Sequence, residues 1–369
     1  MIKQNQNQKI KIALIGDSLA AGGAEKVHAL LSIYFENSGL EVQNCIFTDC
    51  VSYEFSGTLL NLGNISPRSF FVFRKLSQFL LFRKFIKSNN FDFVIDFRMR
   101  TNFLREFLIS NTVYSSKIFY TVHSGVLEYY FPKSAFLSNL IYSKKNIVTV
   151  SKAIRNEILF KKLANKVDFI YNPVDLRTTA NLQNQFAFAD SKYILAIGRM
   201  SSDIKQFDKL ILAYSKSNLP IQNIKLMFLG EGENKLKYIR LAEQLGVRDF
   251  VIFKGFVENP FPYYKNALFL VLSSKNEGFP NVIIESLGAG TPVVAFDCFS
   301  GPNEIIVHKS NGLLVENQNF EKLTEAMNLL AENNEVYHYC KSNSFRSVAP
   351  FSVDKIGKQW LDYMKINVS

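Results

Sequence analysis

Apolar residues in this chain fall into short continuous runs separated by longer stretches in which they recur three and four positions apart. The first pattern reads as strands buried on both faces, the second as helices with one apolar side. "KIALIG" (11–16) opens as a strand and "GAEKVHALLSIYFENSG" follows with helical spacing, ending near Gly39. "EVQNCIFT", "FDFVIDF", "KIFYTVHS", "NIVTVS" and "VDFIYNPVD" read as further strands. Helices lie among them, including a long basic one that runs to about Asn90. The rhythm restarts with "KYILAIGRM" (192–200), then helix 206–217, strand "IKLMFLG", helix 234–245, strand "DFVIFKG" and helix 260–267. "ALFLVLSS" and "TPVVAF" are buried strands around a helix that Pro280 opens and Gly288 and Gly290 close, and "GLLV" and helix 320–334 complete the series.

Alternating strands and helices imply parallel sheets with helices on both faces. The expected fold is α/β: two Rossmann-like domains facing each other across a cleft, one over 1–180 and one over 181–345, joined near the polar, periodless 175–190. The tail 346–369 carries a helical pattern at Ile356, Trp360, Leu361 and Met364 and is free, on spacing alone, to pack on the second domain or cross back to the first.

Charge adds an asymmetry. Residues 1–180 hold 23 Lys+Arg against 13 Asp+Glu, so nearly the whole formal excess of +11 belongs to the first half. That half is expected to meet phosphate groups or an anionic lipid surface rather than nucleic acid, for which no binding motif is present. Cys45, Cys50, Cys298 and Cys340 have neither CxxC nor zinc spacing and read as reduced thiols of a cytoplasmic protein. There is no HExxH, and no apolar run approaches the ~18 residues of a spanning helix.

Four loops leave strands and enter helices, which places them at the sheet edges where ligands bind in such folds. "GDSLAAGGAEKV" brings Gly22 and Gly23 to a helix N-terminus, either as a plain turn or as a close approach for an anion. It is not a dinucleotide fingerprint, since no GxGxxG opens the helix, and "GEGENK" lacks the third glycine. "TVHSG" sets His123 just past a strand, and "IGRMSSDIKQFDKLI" sets Arg199 and Lys205 beside a helix N-terminus, where two cations can neutralise a diphosphate. The fourth, "SSKNEGFPNVIIESLGAGTPVVAF", carries Glu277 on the loop and Glu285 about a turn and a half into the next helix.

This last stretch, with glutamates at the ends of an E-x7-E span, resembles the donor-binding signature of family 4 retaining glycosyltransferases of GT-B fold, bacterial surface-polysaccharide type. "AGGAEKVHALL", "VTVSKAIRNEIL", "IYNPVDL", "AIGRMSSDIKQFDKLILAY" and "SGPNEIIVHKSNGLLV" are similar to other segments of that family, so the resemblance covers nearly the whole chain. It implies that Glu285 holds the ribose of a nucleotide sugar and Glu277 the transferred sugar, while Arg199 and Lys205 grip the diphosphate. It further implies that Gly255, Phe256 and Val257 line the base pocket and Gly278, Phe279, Pro280 and Asn281 the donor loop. Gly22 and Gly23 would approach the phosphate and His123 the sugar.

The resemblance thus predicts an enzyme: transfer of a hexose or N-acetylhexosamine from a UDP-sugar to a glycan acceptor, lipid-linked, with retention and without an essential metal or other cofactor. A GDP-sugar donor is the alternative within the class, and a non-catalytic nucleotide- or glycan-binding subunit the alternative outside it. "PRSFFVFRKLSQFLLFRKFIKSNN" (67–90) interleaves six cations with Phe70, Phe71, Phe73, Phe79, Phe82 and Phe85. It is expected either to dock the first half on the cytoplasmic face of an anionic membrane or simply to pack on its sheet.

Overall fold

A computed structural model describes residues 9–20, 22–64, 71–114, 117–176 and 192–367, the side chains of Phe71 and Val72 apart. The described residues up to Pro173 and those from Val353 onward make one compact unit, and Val174 to Ser352 make a second. Residues 1–8, most of the linker and residues 67–70 lie outside the described residues.

In the first unit the chain runs β1 (Lys11–Gly16), α1 (Gly23–Asn37), β2 (Glu41–Ile46), β3 (Thr58–Asn61), α2 (Phe71–Ser88), β4 (Phe93–Asp96) and α3 (Phe103–Thr112). It continues through β5 (Ile118–Val122), α4 (Ala135–Tyr142), β6 (Asn146–Thr149), α5 (Lys152–Phe160) and β7 (Lys166–Phe169). The seven strands form a sheet in the order β3-β2-β1-β4-β5-β6-β7, every neighbouring pair parallel. β4 and β5 are buried at every position, as their unbroken apolar runs require of strands with helices on both faces. The edge strand β3, exposed or half-buried throughout, has no such run to mark it.

The second unit repeats the plan with β8 (Tyr193–Ile197), α6 (Phe207–Ser215), β9 (Lys225–Leu229), α7 (Lys235–Gln244), β10 (Val251–Gly255), α8 (Phe261–Asn266) and β11 (Leu270–Leu272). α9 (Asn281–Gly288), β12 (Val293–Phe296), α10 (Pro302–Ile305), β13 (Gly312–Val315), α11 (Phe320–Glu332) and α12 (Asn334–Ser347) follow. Its sheet is parallel in the order β10-β9-β8-β11-β12-β13. The helix expected to run to 334 stops at Glu332. Asn333 ends it and accepts from the Val336 amide with its side chain, capping a further helix.

The last helix, α13 (Val353–Met364), packs on the first unit. Its buried Ile356, Trp360, Leu361 and Met364 join the core of Ile12, Leu14, Leu31, Phe35 and Ile95. Trp360 meets the Phe119 ring edge-on at 6.2 Å, and the Tyr363 hydroxyl donates to Asp168 at 2.9 Å. Gly357 lies flat against the Tyr34 ring, where a Cβ would collide.

In each sheet the strand order reverses once, between β1 and β4 in the first and between β8 and β11 in the second. Loops leaving two such strands diverge to opposite faces and open a crevice, the usual ligand position in open parallel sheets.

Candidate functional site

At the reversal point of the second sheet, the loop after β8 (198–206) meets the loop after β11 (273–280). Backbone and side chain stitch them together: Lys275 N–H donates to the Ile204 carbonyl at 2.8 Å and the Ser273 hydroxyl to the Lys205 carbonyl at 2.7 Å. Gln206, buried and left-handed at φ 51°, turns the first loop into α6. A non-glycine residue in that region stores strain and persists only where its surroundings hold it. The stem of Lys205 is backed by Gly198, where an added Cβ would lie 2.9 Å from Cε.

These restraints carry the Lys205 ammonium to Glu277, where Nζ donates to Oε1 at 2.7 Å. The side chains are only 20% and 13% exposed, so the pair is largely shielded from solvent. A charge-assisted bond in such surroundings stabilises by about 1.5–3 kcal/mol net. Arg199, on the same loop, is exposed and has no hydrogen-bond or ion-pair partner among the described residues.

Glu285, the fifth residue of α9, is half-buried and held by the hydroxyl of buried Tyr264, which donates to Oε2 at 2.9 Å. Tyr264 is itself fixed through its carbonyl, which accepts from Thr291 Oγ1 at 2.7 Å. The segment between the glutamates is packed in place: Gly278, Phe279 and Pro280 are buried, Ser300 Oγ donates to the Gly278 carbonyl, and Phe279 packs on Phe351 at 5.4 Å. Asn281 is half-buried and begins α9.

Gly255 ends β10 at φ 87°, and its carbonyl accepts from Gly230 N–H at 2.8 Å, drawing two strand exits together. Gly230 sits at φ 132°, and a Cβ there would overlap the Gly198 carbonyl. Phe256 follows with 61% of its surface exposed, and Val257 is half-buried.

Three further polar groups sit beside these loops. Ser274 Oγ, Asn276 Oδ1 and Asp297 Oδ1 are buried without a hydrogen-bond partner among the described residues. Ser274 and Asp297 lie two positions past the paired Leu272 and Ala295, so they leave neighbouring strands in register. Cys298 adjoins them, and burial, aided by the negative charge of Glu277, pushes its thiol up to about 12. That thiol is a neutral wall, not a nucleophile.

In the first unit Gly22 is the extended N-cap of α1, but the N-terminus is not open: the Glu25 carboxylate folds over Gly22, where a Cβ would strike it. An acid in the first turn satisfies the helix's positive end. An incoming phosphate would have to displace Glu25 to reach Gly22 and Gly23.

His123 is better placed than sequence could tell. Thr121 Oγ1 donates its one proton to the Asp96 carbonyl at 2.9 Å, so its 3.0 Å bond to His123 Nε2 must be donated by the histidine. Nδ1 then carries the lone pair, and it is buried with no partner among the described residues. Burial, reinforced by Arg100, lowers this histidine to about 3, so it is neutral in the folded protein. The ring sits 5.6 Å from Phe97, whose other neighbour is His28 at 5.1 Å. Tyr130, raised to about 12 by burial, hydrogen-bonds the His123 backbone and lies within electrostatic reach of Glu25 and Asp17.

Beneath them is a buried ionic cluster that "DFRMR" encoded without announcing. Arg98 donates to Asp96 at 2.7 Å and to Glu106 at 3.1 Å, all three nearly solvent-free. Arg100 lies over the rings of Tyr120 and Tyr130 at 5.0 and 5.1 Å. Burial alone would raise the Asp96 carboxyl, but Arg98 and Arg100 outweigh it and hold the group below the usual range. With both arginines turned inward, Met99 is left at the reversal point of the first sheet, its N–H donating to Asp17 Oδ2 at 2.8 Å.

The long basic helix packs one face on the first unit and leaves most of its cations exposed. Phe82 is fully buried, Phe79 and Phe85 are half-buried, and the exposed apolar residues of α2 are Phe73, Leu76 and Leu80. Among the described residues no helix is long and apolar enough to cross a membrane, and no three His, Cys, Asp or Glu side chains converge as metal ligands.

Two parallel-sheet Rossmann-like domains with ligand-type loops at the reversal points are the plan of the GT-B fold. Residues 178–347, most of the second unit, match the family model of glycosyl transferases group 1. A 216-residue stretch, 58% of this chain, is 32% identical to an uncharacterized glycosyltransferase of Haemophilus influenzae and spans 59% of it, less than two thirds of that relative's length. Over 380 residues, 96% of the chain and 99% of the relative, it is 27% identical to the N-acetylgalactosamine-N,N'-diacetylbacillosaminyl-diphospho-undecaprenol 4-alpha-N-acetylgalactosaminyltransferase of Campylobacter jejuni. HepE of Anabaena, solved in complex with UDP and glucose, superposes with a TM-score of 0.75 at 18% identity, over 96% of this chain and 99% of that one.

Proposed function

We propose that this protein is a retaining glycosyltransferase that moves a hexose or N-acetylhexosamine from a UDP-sugar to a lipid-linked glycan during bacterial surface-polysaccharide synthesis. The observation that carries the reading is the Lys205–Glu277 pair at the reversal point of the second sheet, with Glu285 fixed one helix turn and a half further on. A shielded cation and a carboxylate side by side match a ligand that has a diphosphate next to a polyhydroxylated ring. The Campylobacter jejuni relative, named for transfer to a diphospho-undecaprenol carrier, supports the acceptor class.

On this reading Lys205 and Arg199 hold the diphosphate and offset the charge that grows on it as the sugar leaves. Glu277 accepts from the sugar hydroxyls, Glu285 from the ribose, and Phe256 covers the base. Departure of the diphosphate and attack by the acceptor occur on one face of the sugar, the departing phosphate oxygen taking the acceptor proton. The two lysine and arginine charges make a metal unnecessary, so chelator leaves turnover unchanged. The basic α2 draws the protein to the cytoplasmic face of an anionic membrane, where such acceptors reside.

The test is transfer of radiolabelled sugar from UDP- and GDP-sugars to bacterial lipid extracts, with the product's anomeric configuration read by NMR. An α-linked product from an α-configured UDP-sugar is expected. A β-linked product refutes retention, and transfer from GDP-sugars alone refutes the donor.

A further inference from the structure

Two helices of the first unit expose apolar rows and bury polar side chains beside the inward-facing Ile109 of α3 and Ile141 and Tyr142 of α4. α3 turns Glu106 and Ser110 inward, each 2% exposed, and turns Leu104, Phe107 and Leu108 outward. α4, packed beside it, buries Ser138, whose hydroxyl donates to the Leu163 carbonyl at 2.7 Å, and exposes Phe136 and Leu140. Leu104 is 70% exposed and Phe136 73%. Burying a carboxylate while exposing leucines reverses the ordinary ordering of a surface helix. Here Arg98 accounts for the inward acid by pairing with it at 3.1 Å. Nothing among the described residues accounts for the outward apolar rows, which recur at i, i+3, i+4 on α3 and i, i+4 on α4.

The surrounding charge identifies what would. Between Phe103 and Lys145 the cations are the exposed Lys133 and Lys144, together with Arg105, paired with Glu106 at 2.8 Å, Lys117, 3.8 Å from Asp92, and half-buried Lys145, which donates to the Ser110 carbonyl. The acids are Glu106, buried and paired, and Glu128, the one exposed negative charge of the segment. Apolar side chains framed by cations fit an anionic bilayer, whose headgroups take the charges while the acyl boundary takes the rings and branches. A protein partner with an acidic rim satisfies the charges less economically, since it would have to bring its own apolar groove.

We propose that Leu104, Phe107, Leu108, Phe136 and Leu140 form a membrane-inserting surface distinct from α2, entering the acyl boundary of an anionic bilayer. α2 supplies attraction at a distance that salt screens; the α3–α4 face supplies apolar contact that salt does not weaken. The proposal rests on the membrane-bound acceptor assigned above, and its test reads lipid contact without turnover.

Phe136→Trp introduces an indole in a chain whose one tryptophan, Trp360, is buried. With phosphatidylglycerol–phosphatidylethanolamine vesicles carrying brominated acyl chains, at least a twofold quenching of the introduced indole is expected. An unquenched indole on protein that floats with the vesicles overturns the proposal. In parallel, Leu104→Ser/Leu108→Ser/Phe136→Ser/Leu140→Ser is expected to lose at least tenfold in vesicle partitioning at high salt, while its UDP signal in ligand-detected NMR stays as in the wild type. Partitioning equal to the wild type overturns the proposal. So does a wild-type dimer that becomes monomeric in the fourfold variant with no vesicle binding in either, which would assign the face to a second copy. Vesicle insertion without turnover of any sugar nucleotide would leave this surface standing and sink the assigned reaction.

Discussion

Before a donor arrives, Lys205 is committed to Glu277, and that commitment makes two substitutions in one ion pair act on nucleotide affinity with opposite sign. The bond is 2.7 Å long between side chains 20% and 13% exposed, which sets its net value near the lower part of the charge-assisted range, about 1.5 kcal/mol. Glu277→Gln leaves a neutral acceptor of the same shape, worth about 0.5–1 kcal/mol to the lysine. The lysine is thereby released toward a diphosphate by about 0.5–1 kcal/mol, and UDP should bind about two- to fivefold tighter. Lys205→Ala removes the cation and leaves Glu277 facing the diphosphate, so UDP should bind about tenfold or more weakly. Both variants should lose turnover, because the transition state needs the sugar held and the leaving charge offset together. Isothermal titration with UDP, beside turnover assays on the same preparations, reads both quantities. If the two substitutions shift UDP affinity in the same direction, the pair is not the gate to the diphosphate site and the reasoning fails.

Three other outcomes follow from the same geometry. Gly230→Ala places a Cβ on the Gly198 carbonyl at a backbone angle, φ 132°, that L-residues rarely adopt, so unfolding in urea should show a loss of about 2–4 kcal/mol; a loss below about 1 kcal/mol would mean these strand exits are not tightly joined. Tyr264→Phe removes the donor that orients Glu285, and should raise KM for the donor about fivefold with kcat little changed, whereas an unchanged KM would show that Glu285 does not bind it. Burial lowers His28 to about 4 and His123 to about 3, both below the ordinary value near 6.5. The unfolded chain therefore binds these two protons first as pH falls. Their contribution is complete above about pH 6.5 and is lost toward pH 4, at up to about 2.7 kcal/mol per pH unit while both titrate in the unfolded chain. A urea midpoint no lower at about pH 5 than at about pH 7.5 would show that the two imidazoles are not buried neutral.

The strands at the centre of each sheet were legible because burial on both faces forces continuous apolar runs: "KIALIG" and "TPVVAF" have no alternative environment. β3 escaped because an edge strand needs no such run, and α12 because its start depends on one capping side chain, Asn333, inside a continuous helical pattern. The last helix displayed its apolar face at Ile356, Trp360 and Met364, yet the surface it covers is fixed by partners such as Phe119 and Tyr34 that lie hundreds of residues away in sequence. Of the candidate site, Lys205 and Glu277 could be named from their loops, but their bond could not, since it depends on which strands neighbour at the sheet reversal. Tyr264, Thr121 and the Asp96–Arg98–Glu106 cluster carried no spacing signal. The charges in "DFRMR" drew no reading from the sequence, and the fold turns both arginines inward. On α2 the phenylalanines drew notice for their number, but helical phase, not residue type, decides which face is wet, and it left Phe73, Leu76 and Leu80 outside.

The central claim, that the loops joined by Lys205 and Glu277 act on a nucleotide sugar, is tested most directly by nucleotide release from a panel of UDP- and GDP-sugars. The wild type should be compared with Glu277→Ala of matched circular dichroism. Slow release of UDP from one UDP-sugar, abolished in the variant, is the predicted result. Equal release by both proteins would place the chemistry elsewhere, and silence of the folded wild type across the whole panel, in hydrolysis and in ligand-detected NMR alike, would contradict the assignment of an enzyme.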